Sequence, residues 1–301
     1  MNWSSSTRNQ YLKTFDGDID LFVKREDTLH THISGNKYRK LKYNIIAAEN
    51  EGYDTLLTFG GAFSNHIAAV AAVGQTFGFK TIGVIRGEEL AEKVKMNPTL
   101  KFAKDCGMRF KFVSRSDFRL KEKPQFIDSL KEAFGNFYLI PEGGTNRLAV
   151  KGCEEIITEN DKQFDFICCP VGTGGTIAGL INASWSHQKI LGFSALKGYF
   201  LKKDISKFAK KENWKLMSNY HFGGYAKINE ELISFINQIN ENHNIPLDPV
   251  YTGKMMYGIF DLIHKGFFPI KSKILAIHTG GLQGIEGMNQ LLKERELPLI
   301  K

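Results

Sequence analysis

No run of apolar residues in this 301-residue chain approaches the ~18 that a membrane-spanning helix needs, and the stretch from Met1 to Tyr11 is polar. A membrane span and a secretion leader are therefore not expected, and a cytoplasmic location is. Cysteine is sparse: Cys106, Cys153, Cys168 and Cys169 are the four in the chain, which fits a reducing compartment. Cys168 and Cys169 are adjacent in an apolar run, so on a strand their side chains point to opposite faces; no second Cys or His cluster completes a metal site. They read as small core residues. A dinucleotide fingerprint is also missing, since no G-x-G-x-x-G opens the first strand with an acidic residue about 20 positions on. Repeats, low-complexity linkers and long structureless stretches are absent. The formal net charge is +8, but the densest basic stretch (Lys202, Lys203, Lys207, Lys210 and Lys211) is interleaved with Asp204 and Glu212 and belongs to no nucleic-acid motif. It reads as a solvated helix face, and no nucleic-acid partner is expected. A positive field would also suit an anionic cofactor and carboxylate substrates.

What is present is alternation. Strand-like runs at Thr55 to Phe59, Thr81 to Ile85, Arg109 to Val113, Phe137 to Ile140, Phe166 to Pro170, Ile190 to Ser194 and Lys273 to His278 are separated mostly by helix-like segments. That order predicts an α/β protein of parallel sheets with right-handed crossovers. The length is generous for one core and suits two lobes. Glycine clusters follow three of the strands, in Gly60-Gly61-Ala62-Phe63-Ser64-Asn65-His66, in Val171-Gly172-Thr173-Gly174-Gly175-Thr176 and in Ile277-His278-Thr279-Gly280-Gly281. Glycines at the carboxyl ends of strands let backbone N–H groups approach a ligand, and such turns suggest one shared cleft. Ser34-Gly35-Asn36-Lys37 puts a lysine where an extended segment turns into a helix with Tyr38, Leu41, Ile45 and Ala48 on one side, and Ser34 or Asn36 is the expected cap. A lysine in a first helical turn is ordinarily a solvated charge. Beside the glycine turns, Lys37 becomes a candidate Schiff-base lysine.

Laid in order, Lys24-Arg25-Glu26-Asp27, Gly35 to Leu41, Ser64-Asn65-His66, Gly172 to Thr176, Gly224-Tyr225, Asp248-Pro249-Val250-Tyr251-Thr252-Gly253-Lys254 and His278-Thr279-Gly280-Gly281 resemble a known family along nearly the whole chain. It is the pyridoxal-phosphate enzymes of the tryptophan-synthase-β fold type, in the branch of D-cysteine desulfhydrase and 1-aminocyclopropane-1-carboxylate deaminase. The resemblance implies two open, twisted, mostly parallel sheets with flanking helices. Residues 1–48 would join 148–301 in a larger cofactor-binding lobe, with 49–147 as a smaller inserted lobe. The seam would be the turn Pro141 to Asn146, ahead of a long helix from Leu148. A homodimer is implied by analogy.

The resemblance also assigns roles. Lys37 would hold pyridoxal 5'-phosphate and, once displaced by substrate, act as the base at Cα, which requires a lowered pKa. Gly172, Thr173, Gly174, Gly175 and Thr176 would cradle the phosphate at a helix start; from the residues alone the run is also compatible with a bare tight turn. Asn65 would meet the cofactor's ring oxygen, Ser64 and neighbouring N–H groups would grip the substrate carboxylate, and His66 would contribute at least its backbone; capping by Ser64 or Asn65 is the plain alternative. Tyr251 would lie over the substrate, with Tyr225 as a second phenol, although buried tyrosines are commonly core residues. Ring-opening members carry a glutamate directly after the Asp-Pro-Val-Tyr tyrosine, where this chain has Thr252. Desulfhydrase-like members carry a threonine matched by Thr279, whose hydroxyl can meet the pyridine nitrogen without protonating it. The implied reaction is α,β-elimination from a small Cβ-substituted amino acid such as D-cysteine. Alternatives are 1-aminocyclopropane-1-carboxylate deamination, another deamination such as that of D-serine, a non-catalytic amino-acid binder and a dinucleotide enzyme.

Overall fold

The computed structural model describes the chain except Met1, Asn2, Ser4, Ser5, Ser34, Tyr199 and the Phe200 side chain. Its strands are β1 (Asn9–Phe15), β2 (Ile19–Lys24), β3 (Thr55–Gly60), β4 (Lys80–Arg86), β5 (Arg109–Val113), β6 (Tyr138–Ile140), β7 (Phe166–Val171), β8 (Lys189–Ser194), β9 (Trp214–Met217) and β10 (Lys273–Ile277). Helices lie between them: α1 (Asn36–Asn50), α2 (Asn65–Phe77), α3 (Pro98–Asp105), α4 (Arg115–Phe118), α5 (Pro124–Phe134), α6 (Arg147–Glu154), α7 (Gly175–Ala183), α8 (Phe200–Ser206), α9 (Glu230–His243), α10 (Thr252–His264) and α11 (Gly284–Glu294). No helix among the described residues is long and apolar enough to cross a membrane.

The strands form two sheets, ordered β1-β2-β10-β7-β8-β9 and β5-β4-β3-β6. Every pairing is parallel except β1 with β2. Parallel strands covered on both faces are apolar throughout rather than alternating, and β3 is buried at every position. In β7, Cys168 packs with Ile259 and Ile274 on one side of the larger sheet while Cys169 packs with Ile177 and Ile205 on the other. The adjacent thiols thus face opposite cores, as the two-residue period of a strand requires.

The hairpin β1–β2 was not among the strands read from the sequence. Its positions are mixed, with Tyr11 exposed and Leu12 buried, and an edge strand half in water carries a weak apolar pattern. β2 nonetheless runs beside β10 near the middle of the larger sheet, pairing Val23 with Ala276. The expected long helix from Leu148 is instead the eight-residue α6, ended near Glu155 so that the chain can turn through Ile156 and Ile157 into the core. α1 begins after Gly35 at φ 61° with no side-chain cap, which corrects the expected cap at Asn36; Ser34, the other candidate, lies outside the described residues. A Cβ at Gly35 would stand 1.9 Å from the Thr279 carbonyl oxygen, so glycine is required by space as well as by φ.

Candidate active site

The carboxyl ends of β3, β7 and β10 deliver the three glycine turns to one cleft, across which α1 begins. β7 ends at Val171, Gly174 turns the chain at φ 83°, and α7 starts at Gly175. The backbone N–H groups from Thr173 through Ile177 have no protein partner among the described residues, as the first turn of a helix leaves them. They form a cradle for an anion at the positive end of the helix dipole. A Cβ at Gly175 would sit 2.9 Å from the Thr145 side chain and 3.3 Å from Lys40 Cε, and one at Gly172 would sit 3.1 Å from the Tyr251 ring. The wall is closed by Lys40, whose Nζ donates to Gly143 O at 3.0 Å, Thr145 Oγ1 at 2.9 Å and Thr173 Oγ1 at 3.3 Å. Asn36 Nδ2 donates to Thr176 Oγ1 at 2.8 Å. The sequence assigns no role to Lys40 or Thr145, and to Asn36 only that of a helix cap. The available signal was the three-residue step from Lys37 to Lys40, which puts both amines on one helix face.

Lys37 Nζ points to the same carbonyl, Gly143 O, at 3.4 Å. Burial, and then the charge of Lys40, hold its pKa well below that of an ordinary lysine. Burial also lowers Lys40. An amine near an anion cradle that is easily made neutral can both attack an aldehyde and take up a proton.

Ser64 caps α2, accepting from Ile67 N at 3.3 Å. Acceptance leaves its hydroxyl proton free to donate, and the Asn65 and His66 N–H groups beside it have no partner among the described residues. Capping and carboxylate binding are therefore compatible at Ser64. The His66 imidazole, in contrast, is turned away into the smaller sheet. Thr58 Oγ1 donates to Ile140 O at 2.8 Å, so it accepts from His66 Nε2–H at 2.8 Å, and Nδ1 is left buried without a partner. Burial and the two nearby lysines keep the ring neutral. Only the backbone of His66 is in position to meet a substrate.

Asn65 bridges to the third turn: its Oδ1 accepts from Gln283 Nε2 at 3.1 Å, and a Cβ at Gly281 would lie 2.8 Å from its Nδ2. That turn is set by His278, which donates from Nε2 to Pro246 O at 2.6 Å and accepts from Gly280 N at Nδ1, 3.2 Å. The Thr279 carbonyl accepts from Asn36 N at 3.1 Å, joining this turn to the start of α1, while its largely buried hydroxyl makes no hydrogen bond among the described residues.

Opposite stands Tyr251, immediately before α10, with the half-exposed Tyr225 ring 6.2 Å away at 66°. Burial foremost, then Tyr225 and Asp248, push the Tyr251 phenol well up, so it stays protonated. The Asp248 carboxylate is fully used: Oδ1 accepts from Val250 N and Tyr251 N, and Oδ2 accepts from Thr252 N at 2.9 Å and Thr252 Oγ1 at 2.7 Å. Thr252 is thereby locked into the helix start.

The comparisons give this geometry its context. A family model described as "Pyridoxal-phosphate dependent enzyme" matches residues 7–280. This chain belongs to that family. A protein of Pyrococcus horikoshii named putative 1-aminocyclopropane-1-carboxylate deaminase is 33% identical over 294 residues, covering 91% of this chain and 89% of that one. The Arabidopsis thaliana protein named bifunctional D-cysteine desulfhydrase/1-aminocyclopropane-1-carboxylate deaminase, mitochondrial, is 30% identical, covering 88% of this chain and 73% of its own length. A crystal structure described as that of the ACC deaminase homologue superimposes with a TM-score of 0.82 at 30% identity, over 97% of this chain and 94% of that one. The chain is a pyridoxal-phosphate-dependent enzyme of the deaminase and desulfhydrase group, with the tryptophan-synthase-β-like fold.

The residues present fit pyridoxal 5'-phosphate: a run of free N–H groups, glycines whose Cβ would fill the cradle, and the Lys40 ammonium answer a phosphate. Gly175→Val is expected to weaken cofactor binding by about tenfold or more while leaving the fold intact, because its φ is unstrained and the intrusion is confined to the cradle. Titration of the apoprotein, with circular dichroism as control, checks it; undiminished affinity would remove the cradle assignment. At Gly174 the positive φ would confound the same experiment with backbone strain.

The lowered Lys37 pKa also has a stability consequence. A lysine whose folded pKa lies below its unfolded value of about 10.4 binds fewer protons when folded, so its penalty is absent above pH ~10 and grows as pH falls toward the folded pKa. Lys37→Met is expected to raise the melting temperature of the apoprotein at neutral pH, with the gain shrinking toward pH ~10. Thermal melts across that range check the sign.

Proposed function

We propose that this enzyme catalyses α,β-elimination from a small amino acid with a leaving group on Cβ, most directly D-cysteine, giving pyruvate and ammonia with sulfide and taking up one water. The observation that carries the reading is at Thr252. The residue after Tyr251 offers no carboxylate, its hydroxyl is committed to Asp248, and Asp248 has no lone pair left over. Nothing at that position keeps a pyridine nitrogen protonated, and the neutral Thr279 hydroxyl is the group left to meet it. A weak electron sink suffices when a good leaving group departs from Cβ, because the pair left at Cα need not persist. It serves ring opening poorly.

In this reading the cofactor, when bound, supplies the sink for the electron pair at Cα. Lys37 takes the Cα proton, which its easily neutralised amine permits. Ser64 and the Asn65 and His66 N–H groups hold the carboxylate at the start of α2. Asn65 is the residue proposed to meet the ring oxygen. Tyr251, kept protonated by burial, donates to the departing group, with Tyr225 closing the cleft above it. The free thiols, of which Cys153, Cys168 and Cys169 are buried, support a cytoplasmic location. The membership of the two sheets supports lobes of 1–48 with 148–301 and of 49–147. The homodimer rests on the resemblance.

The second reading, deamination of 1-aminocyclopropane-1-carboxylate, is favoured by the names of the relatives. Screening D-cysteine, β-chloro-D-alanine, L-cysteine and D-serine for pyruvate release tests the elimination reading. Release from at least one is expected. Release from none overturns it.

A further inference from the structure

Lys254 lies on the first turn of α10, three residues after Tyr251, and is only 1% exposed. A buried ammonium is ordinarily matched by a carboxylate. Here Nζ donates instead to two backbone carbonyls of the segment between β9 and α9, His221 O at 2.9 Å and Gly224 O at 2.8 Å. That segment carries Tyr225. It is bent by residues of positive φ, at Phe222 (53°), Gly223 (93°), Gly224 (127°) and Ala226 (54°), two of which are not glycine and disfavour the conformation. The bend closes on itself through Gly224 N to His221 O at 3.0 Å and Gly223 N to His221 Nδ1 at 3.0 Å, which turns both carbonyls toward the same cation.

Other ties of the segment lie on both sides of Tyr225: Ala226 and Ile228, after it, pack against the core of the larger sheet, and two contacts lie before it. Tyr220 donates to Asp261 Oδ2 at 2.8 Å, and the Phe222 ring meets Tyr257 edge-on at 5.0 Å. Both partners belong to α10, further along than Lys254. Among the described residues, the hydrogen bonds that tie the 221–224 bend to the body come from the Lys254 ammonium, and charge-assisted bonds to carbonyls are stronger than neutral ones.

We propose that Lys254 is a positioning residue, which clamps the His221–Gly224 bend and thereby holds the Tyr225 phenol opposite Tyr251 in the cleft. Burial without an ion-paired carboxylate lowers its pKa to about 8, a desolvation cost that nearby Asp248 only partly offsets and that a lysine serving merely as a solubilising charge would not bear. The inference rests on the proposed function for the role of the phenols, but the clamp itself does not.

The test uses the holoenzyme. Amide hydrogen exchange across residues 221–227 should be faster by about tenfold or more in Lys254→Met than in the parent, with β10 and the later turns of α10 unchanged, and Lys254→Arg should restore part of the protection. If Lys254→Met does not fold, Lys254→Gln, which keeps a donor, carries the same comparison. In elimination assays with D-cysteine, kcat should fall more than KM rises, and Lys254→Met should cost little further in a Tyr225→Phe background. Unchanged exchange in the segment overturns the clamp, and losses that multiply in the double variant overturn its action through Tyr225. A fully active Tyr225→Phe would remove the role given to that phenol, while the exchange result still decides the clamp.

Discussion

Lys37→Ala is expected to lower turnover by roughly 10⁴-fold or more, because one substitution would remove both the amine proposed to hold the cofactor and the base proposed to take the Cα proton. The protein should still fold. Lys37 reaches only Gly143 O at 3.4 Å, and no ion pair depends on it among the described residues. The variant should bind pyridoxal 5'-phosphate without a covalent link, since the cradle at Thr173 to Ile177 and the Lys40 ammonium remain. Borohydride treatment of the parent followed by peptide mapping should leave the adduct on Lys37, and an adduct on another lysine would remove it from this role. Lys40 is the informative competitor. It lies on the same helix face, but its three hydrogen bonds direct it to the cradle wall.

Arg39→Met should cost about 3–5 kcal/mol of stability, the range for breaking one partner out of a buried ion pair. Arg39 and Glu26 are 1% and 0% exposed at their side chains and meet in a fork, Nε to Oε2 at 2.8 Å and Nη2 to Oε1 at 3.0 Å. Thr7 Oγ1 adds a bond to the same carboxylate at 2.7 Å, but a hydroxyl does not neutralise the charge that the arginine leaves behind. The pair joins the segment after β2 to α1, two residues beyond Lys37, so the loss should appear both in urea midpoints and as a weaker hold on the cofactor. Replacing Arg39 and Glu26 together by apolar residues should recover much of the stability, because no charge is then stranded. This accounts for Lys24-Arg25-Glu26-Asp27 as scaffold. Lys24 meets buried Asp161 at 2.7 Å, Arg25 meets Asp27 at 2.7 Å, and Asp27 lies 3.5 Å from His278 Nδ1, behind the Thr279 turn.

Local chemistry was the part of the fold legible in the sequence. A continuous apolar run such as Thr55 to Phe59 leads into glycines, and glycines after strands mark where backbone can approach a ligand. Lys37, Ser64 and Gly172 to Thr176 can be found that way, and the fold brings them to one cleft. Three-dimensional partnership was not legible. The Lys40 partners Thr145 and Thr173 lie 105 and 133 residues away, and the His221 and Gly224 carbonyls lie 33 and 30 residues from Lys254. His66 reads as a cleft residue because it follows Ser64 and Asn65, yet one more step around α2 carries its ring into the smaller sheet, against Thr58. The β1–β2 hairpin and β9 are not legible in the sequence because edge and mixed-exposure strands lack an uninterrupted apolar pattern.

Under the proposed function, Thr252, held by Asp248, leaves this cleft suited to elimination and not to ring opening. Parallel measurement of kcat/KM for D-cysteine and 1-aminocyclopropane-1-carboxylate on the same holoenzyme tests it most directly, by following pyruvate from the first and 2-oxobutanoate from the second. A preference for D-cysteine of at least about 100-fold is expected, corresponding to roughly 2.7 kcal/mol of transition-state stabilisation. Efficient release of 2-oxobutanoate, at a kcat/KM equal to or above that for D-cysteine, would contradict it.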